Sequence, residues 1–242
     1  MRNGGTITRF GTAAAAGAAA AALLSGTAVA ADAVTAQPAA HAGQAAASRL
    51  TVGGYTAWLK AQRTPEATKT LKAFTALPRL RQVQFVTFLQ DRGALRALAA
   101  DLKGGMSGLH TVRHYNPAVS IVNDVRVTRS QGTAPSVRVS YTATEQVFGI
   151  PVTSEQVWVT YATKGGKYDR PLKSGSHAVN TNAAIRLAGR DTSHSLPAGP
   201  GAKVMVRWTA TPRVSSFGAG VAQDQSILAG PLNVWKAQLR NR

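Results

Sequence analysis

The chain of 242 residues has no cysteine, which excludes disulfides, thiolate metal sites, a cysteine nucleophile and a lipoprotein anchor. It is also short of acid, with 10 Asp and Glu against 28 Lys and Arg, a formal charge of +18. Charged residues make up only 16% of the chain, so the excess comes from missing carboxylates and not from a charge-saturated, disordered sequence. A hydrophobic content of 44% is enough to build a core. No P-loop and no G-x-G-x-x-G opening a helix occurs, and Gly218-Ala219-Gly220 starts no strand-to-helix unit. No nucleotide, and no cofactor of any kind, is therefore expected. No apolar run reaches the ~20 residues of a membrane span, so no transmembrane segment is expected either.

What is present begins with a three-part N-terminus. Arg2 and Arg9 precede an apolar run over Gly11–Leu24, which is followed by the small-x-small pattern Ala28-Val29-Ala30. Signal peptidase admits only small side chains at such a site, so residues 1–30 read as a secretory signal cleaved after Ala30. Removing them and their two arginines leaves 212 residues with a charge of +16. The expected location is secreted, extracellular. The alanine richness, with 19 Arg against 9 Lys, matches the coding bias of a GC-rich bacterium.

Residues 31–48 are Ala, Gln, Gly and Pro without hydrophobic period and read as a flexible leader. Residues 49–108 read as a helical segment. Thr64-Pro65-Glu66 is a helix start, with an N-cap threonine, proline where a missing N–H costs nothing, and an acid on the positive end of the dipole. A second helix is predicted from Arg79 to Gln90. Asp91 can cap a third, with Leu95, Leu98, Ala99 and Leu102 at helical spacing. After Gly108 the hydrophobic period becomes 2, as in Val137, Val139, Tyr141 and Ala143 or Val204, Val206, Trp208 and Ala210. Residues 109–242 thus read as a β-sandwich of six or seven strands. The predicted class is α+β, a small N-terminal helical segment followed by an antiparallel β-sandwich of Ig-like architecture without a disulfide.

The charge pattern gives the leading site. Arg126, Arg138, Arg186 and Arg207 all take the polar phase of predicted strands and would line one face if those strands shared a sheet. Lys164, Lys167, Arg170 and Lys173 add a basic loop. Such a field draws polyanions, and arginine offers a bidentate fork to phosphate. The plainer reading is a solvated polar face, because no tight cluster of five basic residues occurs. Aromatic interleaving of the kind that binds single-stranded nucleic acid is sparse, with Tyr168 and Trp158 the obvious candidates.

Three other constellations carry less. His110 and His114 would share a helix face at a spacing zinc sites use, but the glutamate of H-E-x-x-H is missing and Arg113 would repel a cation. Asp191, His194 and Ser195 place an acid, a base and a hydroxyl within five residues, without a G-x-S-x-G elbow. Glu145 and Glu155 flank a predicted turn at Gly149–Pro151 and are the best enzymatic candidates, although Glu145 falls on the core phase and could be satisfied by an arginine. The expected function is a non-enzymatic cationic protein bound to an anionic envelope or extracellular polymer: teichoic acid, acidic lipid or extracellular DNA. The rivals are a secreted hydrolase working through carboxylates, and a secreted inhibitor or effector.

Overall fold

The computed structural model describes residues 49–105, 107–132, 135–197, 201–230 and 234–242, and for 191–197 the backbone course alone. The signal and the leader predicted over residues 1–48 lie outside the described residues, as do the side chains of Asp191, His194 and Ser195.

Among the described residues, four short helices come first: α1 Val52–Gln62, α2 Pro65–Thr75, α3 Arg79–Phe88 and α4 Arg92–Arg96. Local chemistry starts three of them. The Thr51 hydroxyl accepts from the Gly54 N–H, Thr64 from Ala67, and the Asp91 carboxylate from Gly93, each satisfying an orphan donor of the first turn. Tyr55, Phe74 and Phe85 then meet as a ring trio with centroids 5.0 to 5.6 Å apart. Together with Val147, Ile150 and Val152 they form a satellite core at one end of the strands. The Tyr55 hydroxyl donates to the Thr181 carbonyl at 2.9 Å, and the Asn182 amide donates to the Leu89 carbonyl at 3.0 Å, so the helices are also tied down by polar contacts.

Ten strands follow among the described residues: β1 Ala100–Gly104, β2 Leu109–His114, β3 Val119–Ser130, β4 Ser136–Val147, β5 Ile150–Lys164, β6 Lys167–Asn180, β7 Ile185–Pro197, β8 Ala202–Pro212, β9 Val221–Ala229 and β10 Trp235–Asn241. They form two antiparallel five-stranded sheets, ordered β1-β10-β9-β8-β7 and β2-β3-β4-β5-β6. The inner faces share one core, in which Ile121, Val139, Val157 and Tyr161 of one sheet join Val206, Trp208, Ile227 and Trp235 of the other. β6 and β7 adjoin along one edge. Apart from β1 beside β10, every strand pairs with a neighbour in sequence, whereas an immunoglobulin-type sandwich crosses between sheets by Greek-key connections.

The helical expectation over Leu95–Leu102 fails beyond Arg96. Leu98 stays fully buried, but Ala100–Gly104 leaves the helix and pairs with β10, with Gly104 opposite Trp235. Four apolar residues at i, i+3, i+4 and i+7 fit one helical turn followed by an edge strand as well as they fit a longer helix.

One packing device recurs. Trp235 lies over Gly104, Trp158 over Gly175 and Trp208 over Gly189, each indole within 2.2 to 2.6 Å of where a Cβ would stand. In each case the glycine is the register partner of the tryptophan and sits on a sheet-edge strand. The indole covers the notch that the missing side chain leaves.

Candidate functional site

The β3–β6 register brings most of the predicted basic residues to one surface. Val137, Val139, Val157, Val159 and Tyr161 point into the core, so the residues alternating with them form the outer face. Arg126, Ser140, Trp158 and Gly175 stand in one cross-strand row; Thr128, Arg138, Thr160 and Lys173 form the next; Ser130, Ser136, Ala162 and Arg170 a third; and Lys164 faces Lys167 at the end of the hairpin. Arg126, Arg138, Lys164, Lys167, Arg170 and Lys173 therefore share a face. The Arg126 and Arg170 side chains are 76% and 69% exposed, each touching one acid, Asp124 at 3.2 Å and Asp169 at 2.8 Å. Exposed ion pairs of this kind are worth at most about 1 kcal/mol and yield readily to a phosphate ligand. Among the described residues, no carboxylate lies within ion-pair distance of Arg138, Lys164, Lys167 or Lys173.

Trp158 holds Arg138 in place. The guanidinium carbon lies 4.2 Å from the ring centroid, and Gly175 beneath lets the indole lie close to the sheet. A stacked guanidinium keeps its N–H edge free for an anion while losing little further freedom on binding.

Arg186 and Arg207 do not join this face. They lie on β7 and β8, in the other sheet, so the expectation of four arginines on one surface is corrected. Alternation fixes the phase of a strand but not the sheet to which it belongs. Arg207 is also engaged, donating through Nε to Asp224 at 2.9 Å. Partial burial would raise the Asp224 pKa, but hydrogen bonds from Arg207 and Arg242 outweigh this and hold it below the usual carboxylate range.

His110 and His114 sit on a strand, not a helix. Four residue steps along the strand separate them by roughly 13 Å, too far for one ion. Among the described residues no group of three or more His, Cys, Asp or Glu is placed to hold a metal.

Glu145 and Glu155 do come together, but in the interior. Ala143 pairs with Glu155 and Glu145 with Thr153, which makes the two acids diagonal neighbours on the inner face. They are 1% and 0% exposed, and both Glu155 oxygens and Glu145 Oε2 lack a hydrogen-bond partner. No arginine satisfies either acid among the described residues. Burial pushes both carboxyls up to about 8; Asp91 adds to the rise at Glu145, which the Thr153 hydroxyl opposes, and Glu145 adds to it at Glu155. Beside them Gln225 crosses from β9, its amide donating to the Tyr141 and Glu155 carbonyls at 3.3 and 3.0 Å while its oxygen accepts from Trp208 Nε1 at 2.8 Å. The sequence pattern concealed this polar layer because Gln223 and Gln225 occupy core positions of β9.

No protein-family model matches this chain, and neither a curated protein nor a solved structure is detectably similar to it.

Proposed function

We propose that this is an exported, non-enzymatic protein that holds an anionic polymer on the outer face of the β2–β6 sheet. The observation that carries the reading is the common outward face of Arg138, Arg170 and Lys173, with Arg138 stacked on Trp158. The mature charge of +16 left by cleavage after Ala30 supplies long-range attraction, and the fixed face supplies the contact. The architecture that goes with this reading is a sandwich-like pair of sheets presenting one flat basic surface. Hydrolysis by Glu145 and Glu155 would require substrate to reach two carboxyls that are shut off from solvent, whereas the basic face is open.

Retention on an immobilised anionic polymer at graded salt tests the proposal. The variant Arg138→Gln/Arg170→Gln/Lys173→Gln is compared with Lys60→Gln/Lys72→Gln/Arg186→Gln, which loses the same charge elsewhere. The face variant is expected to elute at distinctly lower salt than the control. Equal elution of the two would mean that net charge alone is at work.

A further inference from the structure

Lys167, Arg170 and Lys173 are spaced by three residues, and in a regular strand that spacing would alternate them between faces. Two irregularities in the β5–β6 ladder prevent this. Between Thr160 and Tyr161 the partner shifts from Lys173 to Pro171, and between Ala162 and Thr163 it shifts from Arg170 to Tyr168. Each bulge absorbs one residue of β6, so Lys173 pairs with Thr160, Arg170 with Ala162 and Lys167 with Lys164, all on the outer face. The three cations thus stand two rungs apart, roughly 6.8 Å each, in a line along an edge strand.

Resting on the reading above, we infer that the ligand is a single-chain polyphosphodiester with a six-bond repeat, laid along β6 with successive phosphates at Lys173, Arg170 and Lys167. A three-carbon bridge between phosphates gives six backbone bonds per repeat, the same number as two peptide residues, and spans ~7 Å when extended. Poly(glycerol phosphate), the backbone of one kind of teichoic acid, and single-stranded nucleic acid both have this repeat. The face favours the polyol chain. Its Trp158 ring is covered by Arg138, and Tyr168 turns inward to pack on Tyr161 at 5.5 Å, so neither offers a free ring on which bases could stack.

The test measures affinity against salt for three probes: 1,3-linked poly(glycerol phosphate), oligodeoxythymidylate and polyglutamate. Wild type is expected to bind the polyol phosphate most tightly. Each of Lys167→Gln, Arg170→Gln and Lys173→Gln should lower its log–log salt slope by about 0.7. The relocation variant Lys173→Gln/Gln156→Lys keeps the net charge but moves one cation off the row, and should lose as much as Lys173→Gln alone. Relocation without loss would overturn the alignment along β6. Tighter binding of oligodeoxythymidylate would overturn the assignment to a polyol chain, and equal binding of polyglutamate would overturn the phosphodiester. Failure of wild type to bind any probe at low salt would instead remove the polyanion reading itself.

Discussion

Stability should fall as pH rises from about 5 to 8, opposite to the behaviour of a protein built on paired carboxylates. Glu145 and Glu155 begin at 4.5 in an open chain and are pushed to about 8 in the fold, chiefly by burial. A carboxyl whose folded pKa is raised contributes its full stability below the unfolded value. That contribution is lost progressively between 4.5 and 8, because the unfolded chain gives up the proton first, and it is flat above. At about 1.4 kcal/mol per pH unit, one such carboxyl accounts for roughly 5 kcal/mol across the window. Since whole domains are stable by about 5–15 kcal/mol, the loss should move the unfolding midpoint visibly. Asp224 works in the other direction, but its stabilisation is lost only as pH falls through the acid range, outside this window. The assay is urea unfolding followed by tryptophan fluorescence at pH 5, 6, 7, 8 and 9. Wild type should lose midpoint steadily up to pH 8, while Glu145→Gln/Glu155→Gln, which cannot ionise there, should stay nearly level. A wild-type midpoint constant or rising over pH 5–8 would refute the burial argument.

Three further outcomes are expected. Gly175→Ala places a methyl 2.6 Å from the Trp158 ring, so it should cost about 1–3 kcal/mol by thermal melt and weaken polyanion retention by unseating Arg138. Gln225→Ala strands the Trp208 N–H in the core and should lower the urea midpoint by about 1–3 kcal/mol equivalent, with little change in polymer binding. Thr64→Ala removes the cap of α2, and a loss of about 1 kcal/mol should register in the thermal melt followed by far-ultraviolet circular dichroism.

The elements with strong local chemistry are legible in the sequence. Thr64-Pro65-Glu66 starts α2 as expected, Asp91 caps α4, and the alternation of Val137–Ala143 and Val204–Ala210 marks β4 and β8. β6 was hidden because its two bulges break the alternation, so Lys167–Lys173 resembled a basic loop. β9 was hidden because Gln223 and Gln225 occupy its core phase. At the candidate site, composition and phase mark the basic residues, but their division between sheets depends on long-range pairing that no local pattern records. Glu145 takes the core phase in the sequence pattern and in the fold, yet the partner its Oε2 lacks is a property of the packed interior and not of the strand.

The tryptophan–glycine pairs give this protein a built-in set of optical reporters. Trp235 reads the junction of β1 with β10, Trp158 that of β5 with β6, and Trp208 that of β7 with β8, while Trp58 sits apart on α1. Three edge strands are thus each watched by a different indole. Variants that keep one of the three in turn would resolve whether the edges peel away separately or all at once, and whether a ligand along β6 quiets its own edge without touching the others.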